Sequence, residues 1–310
     1  MKQKVFAAGI LFLLSFLLCY PKEALEASRE GMQLWLNTLF PTLLPPLILT
    51  GILVHTNGIE KLLSPLRVLW RAGLGLSPSG AYVFLLGILC GYPMGAKLAS
   101  DLFRHGKIAK KEAEYLLTFC SSPSPAFILS YLSGICLEGK ISSAYILGIL
   151  LFSNLVCMFF FRFFVYKNQT YTAYSRCTKK ETISSGSLGA RIDVSIMNGF
   201  ETIARLGGYI LLFSILSACL NHYFYLVTKR NLPWGFTGFL ELTTGLMDLT
   251  RSTLTYSRRF ILSMALTSFG GLCVLAQTRS VLDKQLSLMP YLCAKFLSAA
   301  VTALTASIFV

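Results

Sequence analysis

Two interruptions of helical patterning inside apolar sequence constrain this chain more than any other feature. Residues 87–128 carry Gly91-Tyr92-Pro93 with Gly95 and Lys97, and farther on Ser121-Ser122-Pro123-Ser124-Pro125. Proline removes a backbone donor and clashes with the preceding helical turn, and glycine is a poor residue for a helix interior. At membrane depth such breaks leave peptide N–H and C=O groups that hydrocarbon cannot satisfy. They persist only where they are buried in protein or line a polar cavity. In secondary transporters, interrupted helices build the substrate site.

Composition identifies the solvent as lipid. The 310 residues are 54% hydrophobic and 14% charged, against about 25% charged in a soluble chain. Several segments approach the ~20 apolar residues that cross a bilayer, so we expect an all-α polytopic membrane protein. The net charge of +14 sits in short loops and helix ends, with no basic stripe interleaved with aromatics. It points to cytoplasmic loops facing anionic lipid and away from nucleic acid. Cys19, Cys90, Cys136, Cys157, Cys219, Cys273 and Cys293 lie in apolar runs and are expected as small core residues. With no C-x-x-C pair and no Cys/His cluster, we expect neither a metal site nor a cofactor nor a disulfide framework.

In chain order, residues 5–20 follow Lys2 and Lys4 and read as an uncleaved first helix, because no small-x-small cleavage site precedes Pro21. Residues 22–36 mix charges with Leu25, Met32, Leu34 and Trp35 and suit a helix lying in the interface, with Trp35 at headgroup level. Residues 38–54 form a kinked span, and 58–74 a second surface helix. The two arms around Gly91-Tyr92-Pro93, within residues 81–103, are each about eleven residues, roughly 16 Å of helix. That is half of a ~30 Å core and fits a re-entrant hairpin. Residues 112–137 form a span broken at Ser121 to Pro125, and 142–165 an uninterrupted one. The polar stretch 166–192, with Lys167, Arg176, Lys179, Lys180 and Arg191 against Glu181 alone, is a cytoplasmic, mobile loop.

The second half echoes the first. A surface helix over 192–206 leads into a span over 207–222, then a short glycine-rich segment over 234–248 with Glu241, Thr243 and Thr244. A span over 260–277 has its polar centre at Ser268, Gly270 and Gly271, and 286–309 closes the chain. Started from the inside at Lys2, the positive-inside rule sends the 38–54 span inward and the 207–222 span outward. That makes an inverted repeat with two re-entrant helical hairpins and two broken transmembrane helices. Lys229, Arg230, Arg251, Arg258 and Arg259 run against the rule on the outer side. The expected divisions are an N-terminal helix (1–20), a first repeat (21–165), a basic cytoplasmic loop (166–191) and a second repeat (192–310).

The candidate substrate-binding residues are those of the breaks. Gly91, Tyr92, Pro93 and Gly95 form a tip whose N–H groups suit an anionic or polar ligand; the alternative is close helix packing through small residues. Lys97 either attracts a carboxylate or snorkels toward Arg104. Ser121, Ser122 and Ser124 donate or accept toward a ligand, or bond between helices. Glu241, beside Thr243 and Thr244, is a candidate for proton or cation coupling or for partnering a base such as Lys97. Asp248 and Arg251, three apart, suit a local pair. Ser268, Gly270 and Gly271 mirror the first break. Catalysis finds no support: His55, His105 and His222 are far apart, and H-E-x-x-H, G-x-S-x-G and P-loop patterns do not occur. We expect no enzyme, and energy from a gradient, a downhill substrate or a partner.

Pro21-Lys22-Glu23-Ala24-Leu25-Glu26-Ala27, Leu39-Phe40-Pro41 with Leu44-Pro45, Gly91-Tyr92-Pro93 with Gly95-Ala96-Lys97, and Ser121 to Pro125 resemble the sporulation integral membrane protein family. Members of that family carry two nucleoside-recognition (Gate) domains and look distantly similar to concentrative nucleoside transporters. The resemblance covers most of the chain and is densest in residues 21–130. It implies that the two repeats are Gate domains and that the protein moves dipicolinic acid from the mother cell across the outer forespore membrane. It also implies partners among a small anionic solute, anionic lipid and other sporulation membrane proteins. Two rival readings stand beside it: transport of a nucleoside or another small polar solute, and a non-transporting scaffold that recruits partners through the 166–192 loop.

Overall fold

The computed structural model describes residues 2–55, 66–171 and 188–310. Helices α1 (Lys2–Cys19), α2 (Pro21–Leu34) and α3 (Phe40–His55) open the chain, with one π-helical segment, Trp35–Leu39, joining α2 to α3. Next comes the pair α4 (Pro78–Cys90) and α5 (Met94–Arg104), then α6 (Lys110–Leu117), α7 (Pro125–Cys136) and α8 (Ser143–Val165). The second half contains α9 (Leu188–Thr228), the pair α10 (Trp234–Leu240) and α11 (Leu242–Thr250), the collinear α12 (Tyr256–Phe269) and α13 (Gly271–Val281), and α14 (Met289–Ile308). Among the described residues four helices are long and apolar enough to cross a membrane, or five if the α1–α2 pair, bent by 106°, is one span. The molecule is an all-α, multi-pass membrane protein.

The interface helices expected at 22–36 and 192–206 are not separate elements. Helix runs unbroken from residue 21 to 55, and α9 runs unbroken for 41 residues, about 60 Å at 1.5 Å per residue. The two lie against each other along most of their length. Small residues explain why local charge is overruled. A Cβ at Gly31 would sit 2.9 Å from Ser214 Oγ, and one at Gly51 3.1 Å from Ser195 Cβ. Gly199 faces Leu44 and Ile48, and a Cβ at Gly207 would meet the Trp35 indole at 2.6 Å. Backbones this close gain the van der Waals contact that drives helix association in lipid. Trp35 packs within this pair: its indole N–H donates to the Ile203 carbonyl at 2.9 Å.

The two breaks fold back as helical pairs. In the first, α4 starts at Ser77, whose hydroxyl accepts from Gly80 N–H at 3.0 Å, with Pro78 at the first helical position. It ends at Gly91, which has φ +81°, and α5 returns after the cis Tyr92–Pro93 peptide so that Gly87 lies against Gly95. In the second pair Gly238 lies against Gly245, and Thr237 donates to Asp248 Oδ2 at 2.7 Å. Asp248, expected to pair locally with Arg251, bonds across the hairpin instead. The order hairpin, broken helix, span thus occurs in α4–α8 and again in α10–α14. The halves interlock, since α7 and α8 share a core of Phe127, Ile128 and Ile149 with Leu246, Phe260 and Met264 of the second half.

Residues 58–65 of the expected second surface helix lie outside the described residues. Its remainder forms Arg67–Leu69 and Trp70–Leu74. The buried Arg162 of α8 donates to the Ala72 and Gly73 carbonyls and to Asn168 Oδ1, and Tyr171 N–H bonds Gly75 O at 2.9 Å. The opening of the expected mobile loop is therefore tied down, while residues 172–187 lie outside the described residues. Five of the seven cysteines expected in the core are buried; Cys19 and Cys293 are exposed.

Gly207→Ala should lower the melting temperature and shift Trp35 fluorescence. Its neighbour Gly208, whose added Cβ meets nothing within 4 Å, should tolerate alanine or gain up to about 1 kcal/mol from helix propensity. Equal effects at both positions would contradict the packing assigned to the long pair.

Candidate functional site at the two helix breaks

Each hairpin docks on a broken helix through glycine. A Cβ at Gly91 would lie 2.5 Å from Ser124 N, and Cβ atoms at Gly87 and Gly95 would collide with the Cys120 carbonyl. Tyr92 N–H donates to Ser122 O at 2.7 Å, so the first tip satisfies a carbonyl that the first break leaves free. Ser124 caps α7, accepting from Phe127 N–H at 3.2 Å, with Pro125 following as the first helical residue. In the second half Gly270 and Gly271 have φ of +88° and +78°, and Gly271 approaches the Gly238, Phe239 and Leu240 carbonyls at the end of α10. Only a residue without Cβ fits that contact and that backbone conformation.

Glu241 forms the second tip. It is buried, and as N-cap of α11 it accepts from Thr243 N–H (3.1 Å), Thr244 N–H (2.7 Å), Thr244 Oγ1 (2.9 Å) and Thr243 Oγ1. Its two oxygens are thereby occupied by the start of its own helix, the end of a helix that favours an acidic cap. The expected partnership with Lys97 is not seen. Lys97 pairs with Asp101 one turn along α5, at 2.8 Å, and faces a different cavity.

The residue that joins the two breaks is Lys295, in the apolar α14. Its ammonium is buried and donates to the Ser121 carbonyl in the first break and, at 3.1 Å, to the Ser268 carbonyl in the second. It also lies 5.2 Å from the Tyr92 ring centre and 5.5 Å from that of Tyr291, within range of a cation–π attraction. Ser268 Oγ shares a hydrogen with Ser298 Oγ at 2.6 Å, a second tie between α12 and α14. Among the described residues no carboxylate forms an ion pair with Lys295. The hydroxyls of Tyr92 and Ser121 are buried without a hydrogen-bond partner. The site therefore holds a buried lysine with no carboxylate partner among the described residues, two hydroxyls without a hydrogen-bond partner and an aromatic face.

Pro93, Tyr92 and Ser124 from the first hairpin and break face Glu241, Thr243 and Gln277 from the second across a cavity of about 50 Å³, closed on its third side by Leu206 and Ile210 of α9. Sequence reasoning brought the break residues together but passed over Lys295, Ser298 and Gln277. The available signal was one lysine in the middle of an apolar span, since an intramembrane charge marks function by default.

No protein-family model and no solved structure matches the chain. Among curated proteins it aligns with the "Sporulation integral membrane protein YlbJ" of Bacillus subtilis (strain 168), 24% identical over 326 positions that cover 94% of this chain and 78% of the relative. The chain is similar to a sporulation membrane protein. With its apolar helices, that similarity supports a multi-pass membrane protein in a spore-forming bacterium.

Gly95→Ala should force the first hairpin off the Cys120 carbonyl and cost about 1–3 kcal/mol of overpacking, whereas Gly148→Ala, in open space on α8, should be neutral or gain up to about 1 kcal/mol from helix propensity. A Gly95→Ala variant as stable as the parent would contradict the docking described.

Proposed function

We propose that this protein is a membrane transporter of sporulating cells that moves a small dicarboxylate, dipicolinic acid, from the mother cell across the outer forespore membrane. The name of its relative supports the sporulation setting, and the family resemblance of the breaks supports the solute. One observation carries the chemistry: a buried ammonium, held only by peptide carbonyls and aromatic faces, where two broken helices meet. A carboxylate displacing those carbonyls sets a full negative charge, in place of neutral acceptors, against the ammonium. The Tyr92 and Ser121 hydroxyls donate to its remaining oxygens, and the Tyr92 ring offers a face to an aromatic solute. Glu241, already saturated by its own helix, sets the far wall and repels a misplaced anion.

The cavity of about 50 Å³ has room for about two waters, less than a ring with two carboxylates needs, and Lys295 and Ser121 are not among the residues that line it. Loading therefore requires the hairpin tips to part, and the bound solute then neutralises the charge that held the breaks together. Alternating access follows from that exchange. A nucleoside is the second reading, favoured by the two unpartnered hydroxyls, which suit a neutral polar solute.

Purified protein in liposomes should accumulate labelled dipicolinate above protein-free vesicles, and Lys295→Met should remove at least about 90% of that uptake, the tenfold loss that one charge-assisted contact of about 1.4 kcal/mol implies. If uridine enters instead and Lys295→Met leaves it intact, the nucleoside reading takes its place. If neither solute enters under any ion gradient, transport is refuted.

A further inference from the structure

Three cavities follow one another along α9. The central one is that between the tips. On the side of the first hairpin, a cavity of about 290 Å³ is lined by the same four elements one helical turn farther on: Leu47 follows Leu43 on α3, Thr202 precedes Leu206 on α9, Val281 follows Gln277 on α13, and Met94 follows Pro93 at the first tip. On the opposite side, a cavity of about 460 Å³ is lined by α2, α9, α7 and α11, and it shares Leu34 and Thr243 with the central one. Along α9 the linings run from Asn198 through Leu206 and Ile210 to Ser214. That stretch is about 24 Å of helix, most of a ~30 Å hydrocarbon core.

We infer that these are consecutive stations of one permeation path. The solute travels along the face of the long α2–α3/α9 pair and passes the two hairpin tips between a vestibule on each side. This rests on the transport reading above and adds the route, the gates and a capture site. The constriction toward the first-hairpin side is an apolar plug: Leu43, Leu47, Met94 and Leu206 are all buried. The constriction on the other side is thinner, the pair Leu34 and Thr243. The two vestibules also differ chemically. The first-hairpin vestibule is lined by Lys97, Arg104 and Arg205 against Asp101 and Glu201, and the third cation, Arg104, is answered by Asp283 just outside the lining. Lys97 pairs with Asp101 and Arg205 with Glu201, each one turn along its own helix. An incoming dicarboxylate can take up either cation as its partner carboxylate swings to solvent. That vestibule is the capture site for a small dianion, which assigns Lys97 to an entry station ahead of the central site.

Introduced thiols test the route, first without any transported solute. Asn198→Cys and Met247→Cys, each in reconstituted vesicles, are exposed to a membrane-impermeant charged thiol reagent from one face and then the other, and modification is read residue by residue by mass spectrometry. The thiol at position 198 should react from one face alone and the thiol at position 247 from the opposite face alone, while the native Cys273 of the central cavity stays unmodified from both. Met94→Ala should raise Cys273 modification several-fold from the face that reaches position 198 and from no other. Bulky modification at position 198 should block uptake, and dipicolinate should slow that modification. Reaction of both positions from one face, or full uptake with position 198 blocked, overturns the path. Opposite-face reaction together with no uptake of any solute leaves the path in place and overturns the transport reading instead.

Discussion

One buried ammonium carries the arrangement. Lys295 sits inside a membrane helix, where an unpaired cation costs several kcal/mol, and the two breaks expose carbonyls that hydrocarbon cannot satisfy. Each defect answers the other. The lysine needs acceptors and offers three donors; the Ser121 and Ser268 carbonyls need donors and come from opposite halves of the chain, both reaching the same nitrogen. An acid in that place would have made a buried ion pair, strong and hard to reopen. Carbonyls hold the lysine without a second buried charge.

The two halves reach that junction by different local chemistry. The first tip is all backbone, with Gly91 in a positive-φ conformation and the Tyr92 N–H turned onto Ser122. The second tip uses a side chain, Glu241, to stop one helix and start the next. In both, glycines let the hairpin lie on the break at backbone distance, and both pack against the long pair of α2–α3 and α9. In that pair Gly31, Gly199 and Gly207 meet larger side chains of the facing helix.

Much of this was legible in the sequence because it is written in local residue types. Glycine, proline and serine clusters within apolar runs located both hairpins and both breaks, and the Ser-Pro pairs at 77–78 and 124–125 are helix starts by rule. What was not legible depends on contacts far along the chain. Residues 22–36 carry enough charge to suggest an interface helix, and only the match of small to large residues against α9 shows that they continue into α3. Lys97 lay in the right segment, yet Asp101 four residues on captures it, a local pair that the search for a distant partner passed over. Lys295 was visible as a lone lysine in an apolar span, but its partners are backbone carbonyls, which have no signature in a sequence.

The most direct test is amide hydrogen exchange, resolved by peptide, on the parent protein and on Lys295→Met. If one ammonium ties the breaks together, peptides covering residues 118–127 and 267–273 lose protection together in the variant, while the α2–α9 contact keeps its own. Unchanged protection at both breaks, or a loss confined to residues beside position 295 on α14, would contradict the account.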